Sequence, residues 1–317
     1  MEFIPSNTQN DRLRMKKTTY RHGLSRTGNS GWMLVMYGML GLATTRVMAG
    51  ADTFIDFEAT LGLDDNVTRA ADNIDIEYDG FLTLAGTGGY TLLEGRSSHL
   101  TAKIHLGADT FFRYDGLSNL RASGKLDYSF ITGKSFHAPW FSLEAEYAVA
   151  EFNSLLRDSN IARASITGGM QIDDATTIRI GTSFKDRDAE STVFDQQTVS
   201  VFASLDWAIL RKHIVYLTYK FQQGDTFSAI SPGGGRVAAI TAVIDSEDIV
   251  VDDVFEGKVV YKLDADINFL TLGYNWVQDL HSSFDFSAQY LESKATEVDL
   301  EYEDLILRAS YFRRFNL

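Results

Sequence analysis

The chain has no cysteine and only three prolines among 317 residues. Without cysteine there is no disulfide framework, and cysteine-based metal sites are excluded with it. Scarce proline suits a chain that is mostly sheet, because each proline removes a ladder hydrogen bond. Long apolar runs are missing too. After residue 52 none reaches the ~18 residues a membrane helix needs, which argues against a helical membrane protein. Positive charge is also thin outside the N-terminus. Residues 1–50 hold seven basic and two acidic groups, leaving 22 basic and 41 acidic groups in the remainder. A body this acidic repels nucleic acid, so no nucleic-acid partner is expected.

What is present is alternation. In the stretch from Phe54 to Leu61, one set is Ile55, Phe57, Ala59 and Leu61, and the other is Phe54, Asp56, Glu58 and Thr60. Successive strand side chains point to opposite faces, so a period of two makes one greasy face and one wet face. The pattern returns about a dozen times in segments of about ten residues, with many aromatics in the apolar set. A soluble sandwich would alternate as well. The segment length, the aromatics and a leader-like N-terminus point instead to an all-β fold, an antiparallel transmembrane β-barrel of about 12 strands.

Residues 1–49 read as a signal peptide and 50–317 as the barrel. The basic stretch ends near Arg26, an apolar core runs from Trp32 to Ala43, and Val47-Met48-Ala49 offers a cleavage site. Met15-Lys16-Lys17 is the more ordinary start, which makes Met15 the initiator or residues 1–14 an upstream extension. A retained anchor is disfavoured by so short an apolar core. The expected location is the outer membrane of a Gram-negative cell, reached through a cleaved leader.

Strands are expected near 53–63, 74–92, 99–113, 119–130, 140–150, 161–172, 176–185, 197–207, 213–223, 263–277, 282–291 and 305–317. Connectors at 95–98, 173–175 and 278–281 are turn-like, whereas those at 64–73, 151–160, 186–196, 224–262 and 292–304 are longer and polar; 114–118 is short for its class. Tight turns on one rim and long loops on the other fit a bacterial barrel. Trp140, Trp207, Trp276, Tyr128, Tyr147, Tyr219, Tyr274 and Tyr290 fall near strand ends, where a girdle among headgroups would place them.

The polar set defines the candidate lumen. It carries Asp56, Glu58, Glu144, Glu146, Asp206 and Asp285 against Lys103, Arg121, Lys125, Arg163, Arg179, Lys220 and Arg308. Neighbouring strands tend to alternate in sign. Arg121 and Lys125 should face Glu144 and Glu146, these should face Arg163, and Arg308 should face Asp56 and Glu58 across the closing seam. Such pairs could fill and rigidify a narrow barrel or select solutes by charge. The favoured expectation is a narrow water-filled pathway partly closed by the 224–262 loop.

No catalytic or metal motif stands above background, and no cofactor is expected. His281-Ser282-Ser283 has the His-x-Ser spacing of outer-membrane lipid A deacylases, but it falls in a turn. His105 and Asp109 share a strand face, where an ion pair is the simpler role. Asp264-Ala265-Asp266-Ile267-Asn268 imitates a calcium loop but has Phe269 where the glycine belongs and Asn275 in place of the glutamate. Ser231-Pro232-Gly233-Gly234-Gly235-Arg236 lacks the Lys-Ser/Thr and helix of a phosphate loop. Residues 245–256 hold six acidic groups and no basic one, as a solvated, self-repelling loop would; 292–304 hold six acids against Lys294. Divalent-cation bridging to lipopolysaccharide, or capture of cationic solutes, is the functional alternative for both stretches.

The last strand places Leu305, Leu307, Ala309, Tyr311 and Phe315 on one face. It resembles the C-terminal signature of Gram-negative outer-membrane proteins, although Asn316-Leu317 follow the aromatic and Arg313 takes an apolar-register position. The resemblance implies that Tyr311 and Phe315 serve as the assembly signal, with the barrel-assembly machinery as partner and outer-membrane lipid and lipopolysaccharide as surroundings. Leu61–Ala70 and the hairpin rhythm from Tyr261 through Leu280–Phe286 resemble porin-like barrels, including the barrel half of surface lipoprotein assembly modifiers. Their helical-repeat domain has no counterpart in these residues, so their activity is not carried over. The expected function is a porin-like channel for small hydrophilic solutes. A closed structural or assembly barrel serving export or surface display is the alternative, and an enzyme stands last.

Overall fold

The computed structural model describes residues 53–232 and 244–317. The leader and Gly233–Arg236 of the glycine-rich stretch lie outside the described residues. The strands are β1 (Thr53–Asp64), β2 (Asp79–Glu94), β3 (Ser98–Phe111), β4 (Asn119–Ile131), β5 (Trp140–Phe152), β6 (Ser159–Gln171), β7 (Thr176–Ala189), β8 (Gln196–Leu210), β9 (His213–Ile230), β10 (Ile249–Val251), β11 (Val259–Val277), β12 (Ser282–Ala295) and β13 (Glu301–Asn316). Neighbours pair antiparallel, β9 pairs with β11, and β13 returns to β1. Twelve strands therefore close a barrel, and the short β10 is added to β11 alone.

Closure settles which face meets what. Ile55, Phe57, Leu61 and Leu63 stand exposed on the outside of β1, while Thr60 between them is buried against Ser310 inside. Leu126, Tyr147, Ile180, Val201, Leu217, Leu272 and Leu307 continue the exposed apolar belt around the wall. A belt this continuous is a membrane-spanning surface rather than one built for water. Aromatics gather near the short-turn rim. Tyr128, Phe130 and Phe141 form one stack there, and Trp276, Phe284 and Tyr311 another. Tyr147, Tyr219 and Tyr290 instead stand nearer mid-strand. Trp140 departs from the girdle altogether. It shares the inward face of Ser142, Glu144 and Glu146, and its ring lies flat over Gly169, where a Cβ would sit 2.4 Å away. Tyr216 does the same over Gly273. A bare glycine opposite lets a large ring lie along the wall instead of across the lumen.

Several strand boundaries differ from those expected. The 74–78 stretch alternates as a strand would, yet β2 begins only at Asp79. Its carboxylates Asp75 and Glu77 are taken by Lys258 and Arg113, which holds the segment in the 65–78 connector. Conversely, β9 and β11 extend past the expected 223 and 263 to Ile230 and Val259. Pairing with β8 ends at Gly224 and pairing with β12 at Ala265. Beyond these points β9 and β11 form a two-stranded ribbon rising from the wall. Gly224 marks the departure. Its φ of +127° is one that L side chains rarely adopt, and a Cβ there would meet the Gln197 carbonyl oxygen at 2.1 Å.

Leu217 and Thr218 test the two faces. Leu217 is 45% exposed on the outer wall, whereas the Thr218 hydroxyl donates to Ser204 Oγ inside at 2.9 Å. Leu217→Arg should cost about 2–4 kcal/mol at mid-bilayer and impair folding and heat-modifiable gel migration, while Thr218→Arg should still fold. Equal tolerance of the two substitutions would contradict the lipid-facing assignment.

Candidate functional site: a charged lumen beneath a closed mouth

The barrel register turns all the candidate lumenal residues inward and decides which of them meet. Arg121 Nη2 lies 2.9 Å from Glu146, Lys125 lies 3.1 Å from Glu144, and Arg163 lies 3.4 Å from Glu146. Arg179 holds Asp206 at 2.9 Å, and Lys103 reaches Asp127 at 3.6 Å. The seam differs from expectation. Arg308 sits opposite Gly62 and points to the Gln289 side-chain oxygen at 3.4 Å; Asp56 is instead opposite Arg314, which grips it with bonds of 2.7 and 2.8 Å. Glu58 accepts from Thr60. Asp285 accepts from the Tyr216 hydroxyl at 2.9 Å. Among the described residues Lys220 meets no carboxylate: it lies 3.6 Å from the centre of the Phe269 ring and donates to Gln222.

The cations of these pairs are open to water, with Arg121, Lys125, Arg163 and Arg179 between 25% and 40% exposed; Glu146 is 5% exposed, whereas Glu144 and Asp206 are wetted like their partners. Pairs so wetted contribute roughly 0–1 kcal/mol each, so the backbone ladders hold the barrel and the charges line it. Near the short-turn rim, Asp56, Lys103, His105, Lys125 and Arg314 border a cavity of about 200 Å³. Asp56, Glu58, Ser283 and Arg314 border a second of about 410 Å³. Higher up, Lys185 and Arg187 join the lumenal face of β7. Sequence reasoning missed Arg187 because it ended that strand at 185; it left out Lys185 as well, although that residue lay within the expected strand in the odd-numbered register of Arg179. Arg314 was missed because the seam partner was assigned to Arg308.

The opposite rim is capped. Its connectors at 112–118, 153–158 and 190–195 each hold one short turn, at Asp115–Leu117, Leu155–Arg157 and Thr192–Phe194. Asp158 and Asp195 brace two of them by accepting the backbone N–H of Phe152 and Ala189, both at 2.6 Å. The last positions of the three turns are Leu117, Arg157 and Phe194, and all three are drawn into the mouth. Phe194 packs with Val67, Val193, Phe255 and, from the ribbon, Ala229 and Val260; Leu117 borders this cluster. The ribbon's other face, Ile230, Tyr261 and Leu263, packs on Leu300, Val298 and Ala71. A two-stranded ribbon that is apolar on both faces needs cover on both, and the surrounding connectors supply it.

Charge then fastens the cap. Arg157 is 2% exposed and holds Asp252 in a two-pronged grip, with both bonds at 2.8 Å. Its guanidinium carbon lies 4.1 Å from the centre of the Phe194 ring. Buried Asp75 accepts from Lys258 at 2.8 Å and from the backbone N–H and hydroxyl of Ser231. The Ala229 N–H donates to the Thr68 carbonyl at 3.0 Å. Burial pushes the Asp75 carboxyl up, but the Lys258 and Ser231 bonds outweigh it and hold the group below the usual carboxylate range. Burial and the neighbouring Glu77 raise Tyr114 to about 12. The acidic run at 245–256 is therefore not simply solvated. Asp252 and Asp253 are claimed by Arg157, and Asp248 by Lys262 at 3.1 Å.

Other motifs resolve plainly. His105 bonds Thr87, whereas Asp109 bonds Thr83 and Asn119, so the two form no pair. Ser282 donates to Asp279 in the turn, and His281 lies exposed. Asp264–Asn268 lies inside β11, where an extended backbone cannot wrap a cation. In the 292–304 run, Lys294 stands opposite Glu301 in the β12–β13 register. Tyr311 and Phe315 share the outer face of β13 at the short-turn rim.

A closed, antiparallel, twelve-stranded barrel with an apolar exterior and a charged interior has the fold of an outer-membrane barrel. No family model matches the chain, and no curated protein matches it in sequence. Among solved structures it is similar to an outer-membrane channel from Pseudomonas putida F1, with a TM-score of 0.54, 6% identity, and coverage of 85% of this chain and 97% of that one. The NanC porin gives a TM-score of 0.42 at 4% identity, covering 81% of this chain and 98% of that chain. The KdgM porin gives 0.38 at 8% identity, covering 83% and 99%. The first similarity shows the fold alone.

Removing one side of the Arg157–Asp252 grip should strand a buried charge. Arg157→Leu should cost about 3–5 kcal/mol and expose the 244–258 connector to protease, while adding Asp252→Leu should recover most of the loss. An additive pair of effects would contradict the grip. Asp75 gives a pH signature. Its folded pKa lies below the unfolded value, so its stabilisation is complete above about pH 4 and fades as pH falls through the folded value. Protection of the mouth against hydrogen exchange should drop only in that acid range, and Asp75→Asn should remove the step.

Proposed function

We propose that the protein is a porin-like channel of a Gram-negative outer membrane that passes small hydrophilic solutes through its charge-lined lumen. Solvent access to the inward-facing cations carries this reading, because a barrel filled for rigidity alone would bury them. The rim bearing the 65–78 and 231–258 connectors then faces the cell exterior, and the short turns face the periplasm. A leader cleaved near Gly50 would deliver the chain. The barrel-assembly machinery would insert it by its last strand, with Tyr311 and Phe315 facing lipid, and lipopolysaccharide would surround the outer rim.

The packed ribbon means that conduction requires the mouth to open. That same cap favours the second reading, a closed structural or assembly barrel. Planar-bilayer recording of the refolded protein separates the two. Discrete conductance steps are expected, with more frequent opening when Arg157→Gln weakens the grip on Asp252. Silence of both proteins would favour the closed barrel.

A further inference from the structure

The cations of the lumen are not matched one to one by acids. Arg163 on β6 and Lys185 on β7 stand directly opposite each other on the inner face. Like charges in that position are unfavourable unless something neutral or negative lies between them. Glu146 does not suffice. It is already shared by Arg121 at 2.9 Å, Arg163 at 3.4 Å and Lys125 at 3.8 Å. Lys185 donates only to the neutral Gln196 side chain, at 2.8 Å, and lies within electrostatic reach of Arg163, Arg187, Arg121 and Arg69. Lys220, from β9, feels the charge of Arg163 across the lumen and rests on Phe269 and Gln222. Among the described residues, neither Lys185 nor Lys220 forms an ion pair. Arg187 likewise spends its bonds on the Arg157 carbonyl and the Ser159 hydroxyl.

We propose that this level of the lumen is a binding site for small oxyanions, carboxylate or phosphate in chemistry, centred on Arg163, Lys185 and Lys220. The inference rests on the channel reading and names its solute class. A fork-shaped guanidinium on β6 and an ammonium on β7 stand side by side as donors to an oxyanion, and the Lys220 ammonium on β9 lies within electrostatic reach of that guanidinium. The repulsion between Arg163 and its like-charged neighbours, which the shared Glu146 offsets only in part, is what a bound anion would remove. Acids at the mouth do not oppose this selection in full, because Arg157, Lys258 and Lys262 neutralise several of them. Arg179, further down, is already paired with Asp206 and serves as the control.

Two measurements on the refolded full-length protein test the site. Inorganic phosphate should raise the melting temperature in a saturable way, since a ligand that binds only the folded state stabilises it by mass action. The shift should be lost in Lys185→Gln with Lys220→Gln and retained in Arg179→Gln. In planar bilayers under a KCl gradient, the reversal potential should report anion preference, and the paired substitution should move it towards zero selectivity. A phosphate shift absent from the native protein, or equal in the native and paired variants, overturns the site. So does conductance without anion preference. A saturable, variant-sensitive phosphate shift in a protein that never conducts supports the site and counts against the channel.

Discussion

Backbone hydrogen bonding in a medium without water is the constraint on which the rest depends. Within a bilayer every strand N–H and C=O must find a partner in the protein, so the sheet cannot have an edge. The β13–β1 seam, from Phe54 opposite Asn316 to Asp64 opposite Ile306, meets that demand and fixes the register for all twelve strands. Because the side-chain period is two, a slip of one residue would send Asp56 into lipid and Ile55 into the lumen. The apolar belt and the charged interior are thus one consequence of a single register.

Inside, closure brings charge into contact without making it the source of stability. The exposed lumenal pairs are weak, and among the described residues Lys185 and Lys220 have no acidic partner. Bulky rings are kept off the axis by lying over glycines, as Trp140 does over Gly169 and Tyr216 over Gly273. The interior is therefore lined by polar groups whose cost is reduced by water, which suits passage better than packing.

The mouth obeys the opposite rule. There the β9–β11 ribbon leaves the wall, loses its lateral partners and is covered by connectors from around the rim. Repetition of one turn places Leu117, Arg157 and Phe194 at equivalent positions, and the two buried clasps, Arg157–Asp252 and Lys258–Asp75, join segments far apart in sequence. A buried ion pair adds little net stability against a well-packed apolar substitute, yet it penalises any arrangement that leaves one charge alone. The clasps therefore specify one seating of the cap more than they strengthen it.

The alternation of Ile55, Phe57, Ala59 and Leu61 with Asp56, Glu58 and Thr60, taken with the segment length and the aromatics of the apolar set, was enough to determine the all-β barrel class and which charged side chains face inward. Periodicity is local, and a membrane barrel enforces it in every strand. Partner identity is not local. Whether Asp56 meets Arg308 or Arg314 depends on the stagger across the seam, which no single strand encodes. The strand-like look of 74–78 was misleading because Lys258, some 180 residues away, claims Asp75. The acidic 245–256 run looked solvated because its counter-ions lie on other connectors. Composition and spacing set the faces; only closure in three dimensions decided which charges pair, which remain free in the lumen, and what shuts the mouth.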